Sequence, residues 1–241
     1  MKKIVLILIT LSMVCCQKQE SKTVIPKKTK SSESKIKSKP NPEAKIYPLL
    51  MDTLKIGNKK FIVIQNDPRD DRNMNLSILD EKKDTVYVHD GFATNGFELE
   101  DFDHNGIPDI RLFQITNVDG ISDLIFYDTN DKTFKPVQDF GNFPQPTKMK
   151  NTKYWFSYHR NGCSDLNWGS ELFKIENFKA IKIGEIEGIG CEDEKQTGIF
   201  AYLVKGNTRN RIYAEKRKPG YYNDKWDFIT TYWNKNFTKF E

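Results

Sequence analysis

From residue 46 onward the chain is a succession of short branched and aromatic runs broken by turn-forming residues, and this rhythm limits its fold more than any other feature. FIVIQ (61–65), NLSIL (75–79), TVYVH (85–89), DLIFY (123–127) and GIFAYLV (198–204) each read as a strand. KYWFSYH (153–159) alternates, with Tyr154, Phe156 and Tyr158 on one side and Trp155, Ser157 and His159 on the other. ELFKIENFKAIKIGEIEG (171–188) divides into two strands at Glu176-Asn177, and DFITTYW (227–233) reads as one more. Turn signals recur at Gly57-Asn58, Asp80–Asp84, Asn130-Asp131 and Pro219-Gly220. No segment carries a convincing 3.6-residue period. The expectation is an all-β single domain of antiparallel strands over residues 46–241, arranged as a degenerate propeller or a sandwich. Degenerate is the fitting word, because no crisp internal repeat marks a regular propeller.

The first 45 residues obey different rules. MKKIVLILITLSMVCC opens with two lysines and continues into an apolar stretch. That stretch is too short to cross a bilayer of roughly 30 Å comfortably as a permanent helix. It is expected to be an export signal over residues 1–15. Its end, Val14-Cys15-Cys16, resembles the signal of bacterial lipoproteins, in which a cysteine is acylated and becomes the first residue of the mature chain. Cys16 is favoured, because Cys15 then supplies a small residue before the cut; Cys15 is the alternative. Residues 16–45 are rich in Lys, Ser and Pro and poor in large apolar residues. Such a segment buries too little apolar surface to offset its ordering entropy, so a disordered tether with a reach of about 30 Å is expected. The expected location is the bacterial cell envelope, lipid-anchored to a membrane, with the domain in the periplasm or on the cell surface.

Charge is divided between these parts. The whole chain carries +5. Residues 17–45 hold nine lysines against three glutamates, and Lys2 and Lys3 add two more positive charges, which leaves residues 46–241 at −3. The basic character therefore belongs to the tether. A nucleic-acid binder needs a basic face on its folded part, and this domain is mildly acidic.

One loop carries chemistry on its face. In DFDHNGIPD, Asp101, Asp103 and Asn105 stand at positions 1, 3 and 5, Gly106 at the bend, Ile107 at position 7 and Asp109 at position 9. This is the order in which a calcium loop presents side-chain and carbonyl oxygens to a hard cation. Position 12 is Leu112, where a helix–loop–helix site would carry a bidentate glutamate. The flanks GFELE and IRLFQI read as strands, so the site is expected between two strands with any missing ligand supplied elsewhere or by water. All the donors are oxygens, which favours Ca²⁺ over zinc. The competing interpretation is an Asn-Gly turn whose aspartates only cap backbone amides. Three carboxylates within nine residues repel one another without a cation among them, and this weighs for the metal.

The folded part holds two cysteines, Cys163 and Cys191, expected to form a disulfide in an oxidising compartment. HRNGCSD also places His159, Cys163 and Asp165 close in sequence, the rival reading being a thiol nucleophile. Around Cys191 lie Glu185, Glu187, Glu192, Asp193 and Glu194. These are either a solvated turn or a carboxylate surface for a basic partner. His89, His104 and His159 are the only histidines, and none stands in a nucleophile-elbow or H-E-x-x-H setting. A non-enzymatic role is expected.

LEDFDHNGIPDIRL, LIFYDTNDKTFKPV and ELFKIENFKAIKI, behind a lipoprotein signal, resemble the calcium-binding degenerate β-propeller lipoproteins that act as periplasmic immunity proteins in bacterial-killing type IV secretion. The loop also resembles those of integrin-like FG-GAP repeats. The likeness spans about residues 75–187 and is sharpest at the Asp loop. It implies that Asp101, Asp103, Asn105, Ile107 and Asp109 hold Ca²⁺ and that the domain binds and inhibits a lysozyme-like cell-wall hydrolase. The alternative is a surface adhesion or glycan-binding lipoprotein in which calcium is structural.

Overall fold

The computed structural model describes residues 50–65, 75–90, 94–191, 196–219, 221 and 223–241. The expected signal (1–15), the tether (16–45) with Cys15 and Cys16, and the acidic residues Glu192, Asp193 and Glu194 lie outside the described residues, as does Gly220.

The described residues form antiparallel sheets with one α-helix. The first four strands, β1 (Leu50–Ile56), β2 (Lys59–Gln65), β3 (Asn75–Leu79) and β4 (Thr85–Asp90), make an up-and-down sheet in chain order. The next four, β5 (Thr94–Glu100), β6 (Asp109–Gln114), β7 (Ser122–Asp128) and β8 (Thr133–Pro136), repeat that arrangement. A seven-stranded sheet follows, from β9 (Thr147–Lys148), β10 (Tyr154–Phe156), β11 (His159–Arg160), β12 (Trp168–Glu176), β13 (Lys179–Ile189), β14 (Gly198–Lys205) and β15 (Thr208–Lys216). Its order is β15-β14-β13-β12-β10-β9, with β11 on β12. All three sheets are open.

Turn chemistry sets this meander. Gly57, at φ 56°, closes β1 onto β2 in a conformation that side chains disfavour. Asn177 and Phe178, at φ 51° and 59°, make the two-residue turn between β12 and β13, and the Gln138 amide holds the Phe178 carbonyl at 2.8 Å. At Asp80, the carboxylate accepts the amides of Lys82 and Asp84, each at 2.9 Å.

Burial follows strand alternation. Leu54, Phe61, Val63, Leu76 and Ile78 of the first sheet pack against Ile110, Leu112, Ile125, Tyr127 and Phe134 of the second. Leu124 and Phe126, on the other face of β7, join Trp155, Phe173 and Ala180 of the third sheet. The run DLIFY is thus buried on both faces, which is why it lacks the polar alternation of a half-exposed strand. KYWFSYH behaves similarly: Tyr154, Phe156 and Tyr158 enter one core and Trp155 another.

DFITTYW corrects the sequence reading. These residues lie in α1 (Lys225–Asn236), not in a strand. Lys225, Ile229, Tyr232 and Trp233 are buried at helical spacing, and the last three join the core of Trp168, Leu172 and Ile186. Ile, Thr and aromatic residues have high strand propensity, but burying three large side chains, at about 1.5–3 kcal/mol each, outweighs differences of tenths of a kcal/mol per residue. Trp233 Nε1 donates to Ser170 Oγ at 2.8 Å, fixing the helix to β12.

Candidate metal centre

Asp101 and Asp103 lie in the turn between β5 and β6, and Asp109 is the first residue of β6. Their carboxylates converge, with one oxygen from each lying within 4.8 Å of the others. The loop is shaped by its own side chains. Asp101 accepts the Asn105 amide at 2.9 Å on one oxygen and the Gly106 amide at 2.9 Å on the other. Asp103 accepts the Asn105 amide at 3.1 Å and the Asn105 side-chain amide at 3.0 Å. Asn105 Oδ1 in turn accepts the Ile107 amide at 2.7 Å. Gly106 turns at φ 85°; a Cβ there would meet nothing within 4 Å, so conformation and not space calls for glycine.

The expected ligand set is thus brought together in part. Three carboxylates converge, while Asn105 faces its own loop. Ile107 packs its side chain against the first two sheets' core. His104 is exposed, at φ 62°.

Asp109 decides what the cluster can do. It is 1% exposed; Oδ2 accepts the Phe102 amide at 3.0 Å, while Oδ1 is buried with no hydrogen-bond partner. Burial and the neighbouring Asp103 push its carboxyl up to about 8, and burial also raises that of Asp103. An ionised carboxylate buried beside two others is costly unless a cation compensates it. The orphaned oxygen and the hard-oxygen donor set fit Ca²⁺, with remaining ligands from backbone carbonyl or water. Capping alone accounts for Asp101 and Asp103 but leaves Asp109 Oδ1 without a role.

The loop borders a cavity of about 780 Å³ shared with the β9–β10 hairpin. Asp103, His104, Lys148, Asn151 and Trp155 line it. Lys148 Nζ stands 3.5 Å above the Trp155 ring, and burial draws its ammonium below the usual lysine range while Asp103 opposes the shift.

Elsewhere, Cys163 and Cys191 form a disulfide, with Cα atoms 6.3 Å apart. The nucleophile alternative dissolves with it. His159 stands 3.4 Å from Glu171 Oε1, and Asp165 takes the Tyr158 hydroxyl and Lys225 Nζ, each at 2.5 Å. Glu185 and Glu187 share Arg209, at 3.1 and 2.5 Å, and Glu185 also pairs with Lys182 at 3.2 Å. These two carboxylates are therefore bound within the sheet. Asp123, at the end of the run NVDGISD (117–123), pairs with His89 at 3.1 Å and accepts Gln114 Nε2 at 2.8 Å.

Two polar networks escaped the sequence reading. Tyr87 meets His89 at 3.2 Å, joining the His89–Asp123 pair between the first and second sheets. Glu171, buried on β12, accepts the Ser157 hydroxyl and neighbours His159. Both depend on strand register, which no local motif announces.

No protein-family description matches this chain, and neither does any curated protein. Among solved structures, one described as a Xanthomonas type IV secretion system related protein is similar at a TM-score of 0.46 and 11% identity, over 70% of this chain and 96% of its own. A likeness of that size settles neither fold nor activity.

Proposed function

We propose that this chain is an envelope-anchored bacterial lipoprotein whose β domain is stabilised by Ca²⁺ and binds a protein partner, a lysozyme-like cell-wall hydrolase that it inhibits. The observation that carries the calcium reading is the convergence of Asp101, Asp103 and Asp109 around a buried oxygen without a donor. The anchor rests on the Val14-Cys15-Cys16 signal, and the partner on the resemblance of the loop and its flanking strands. Two consecutive four-stranded meanders packed face to face support a worn propeller as the finer description of the fold. The acidic balance of residues 46–241 suits a basic hydrolase, with attraction raising the association rate. In this reading Glu192, Asp193 and Glu194 offer the carboxylates, since Glu185 and Glu187 are held by Arg209.

Calorimetric titration with Ca²⁺ is expected to show saturable binding that Asp101→Ala and Asp103→Ala abolish. Adding the protein to a lysozyme-type enzyme is expected to slow cell-wall hydrolysis. Unchanged hydrolysis across a panel of such enzymes, with binding of Ca²⁺ intact, would remove the inhibitor and leave the metal.

A second reading, glycan binding with structural calcium, is favoured by the cavity beside the loop, where Asp103, His104, Lys148 and Asn151 offer polar groups. Retention on immobilised cell-wall glycans, lost on Asn151→Ala, would favour it.

A further inference from the structure

The β1–β2, β3–β4 and β7–β8 turns enclose a cleft of about 450 Å³. Four lysines border it: Lys59, Lys60, Lys82 and Lys132. Among the described residues none of these ammonium groups has a carboxylate partner; Lys59 Nζ donates only to the Tyr127 hydroxyl, at 3.4 Å. The two acids on the same rim already serve the backbone. Asp80 Oδ1 accepts the amides of Lys82 and Asp84, and Glu81 Oε1 accepts the Lys60 amide at 3.2 Å. The cleft lining keeps a surplus of two positive charges, four lysines against two acids.

Beneath the lysines the wall is apolar. Phe61 and Phe134 meet edge to face at 5.1 Å, and Val86 is 46% exposed beside them. Phe61 and Val86 come from the first sheet and Phe134 from the second, so the cleft exists only where the two sheets meet. A solvated lysine cluster needs no apolar floor, and an apolar groove needs no ring of cations.

We propose that this cleft binds a phosphate group carried on an apolar body: the lysines take the phosphate oxygens, and Phe61, Phe134 and Val86 take the carbon chain next to it. Ammonium groups recognise phosphate as point charges without a fixed fork, which suits lysines on three separate turns. The site is independent of the metal loop.

The test is calorimetric titration of the full chain, with and without chelator, using three probes: monomeric dihexanoyl phosphatidylglycerol, dihexanoyl phosphatidylcholine and glycerol phosphate. Phosphatidylglycerol is expected to bind at least tenfold more tightly than either of the others, in both conditions. K60E/K132E should weaken it at least tenfold, and the milder K60Q/K132Q severalfold, while K150E/K239E, an equal charge change elsewhere, leaves it within twofold. Equal affinity for glycerol phosphate would overturn the apolar part of the site. Equal affinity for phosphatidylcholine, or unaltered binding by both lysine pairs, would overturn the site itself and assign any binding to diffuse charge.

Discussion

The Phe102 and Trp155 rings lie parallel, 5.5 Å apart with 4° between their planes. Phe102 sits inside the carboxylate loop, directly after Asp101, while Trp155 belongs to β10 of the seven-stranded sheet. Lys148 Nζ lies 3.5 Å from the centre of the same indole ring. The loop is thus tied to a sheet far from it in sequence, and ordering it is felt at an indole.

Calcium should therefore be visible in fluorescence. Titrating Ca²⁺ into metal-free protein is expected to change Trp emission, and Trp155→Phe to remove most of that change while saturable Ca²⁺ heat persists. An identical fluorescence response in the variant would show that the ring pair does not sense the loop.

Asp109→Asn separates the two costs at the centre. With its carboxyl pushed up to about 8, Asp109 is largely neutral at pH 7 in chelator, so the amide replaces a neutral group and stability there should stay within about 1 kcal/mol of the parent. The gain from metal, about 2.7 kcal/mol at a hundredfold excess over Kd, should vanish. Thermal unfolding with and without Ca²⁺ measures both.

The disulfide closes a loop with a sequence separation of 28. In the chain-entropy account it contributes about 3–4 kcal/mol. Cys163→Ser with Cys191→Ser is expected to lower the urea midpoint accordingly, and the reductant sensitivity of the parent should disappear in the double variant.

His159 supplies a pH dependence of defined sign. The Glu171 carboxylate beside it raises its pKa above the usual imidazole value, with burial opposing. A raised value in the folded state means that the contribution is fully present below about pH 6.5 and is lost as pH rises through the folded value. Urea midpoints between pH 5.5 and 8.5 should fall more for the parent than for His159→Gln. Parallel curves would show that the pair does not couple to folding.

Ser170→Ala probes the docking of α1. Trp233 and Ser170 are both fully buried, and the substitution leaves the indole N–H without its acceptor. A loss of about 1–3 kcal/mol is expected in chemical unfolding.

Contiguous residues carried much of this organisation. The β2, β3, β4 and β7 runs and the turn at Asn177 follow from propensity and turn chemistry, because each depends on neighbours a few positions away. The Asp101–Asp109 loop is legible for the same reason: its donors and its bend lie within nine residues. DFITTYW misled because strand-prone residues there form a helix whose hold comes from Ile229, Tyr232 and Trp233 against a distant sheet.

The sequence by itself determined an alternating, turn-punctuated β chain with one oxygen-rich loop and one pair of cysteines able to join. Only the tertiary structure decided that Asp109 is buried with an unmatched oxygen, that Glu185 and Glu187 are claimed by Arg209, and that four lysines from three turns share one aromatic floor. The division has a physical cause. Backbone turns are set by local sterics and short-range hydrogen bonds, whereas burial and charge pairing are set by which strands meet, and that choice is made by the packing of the whole core.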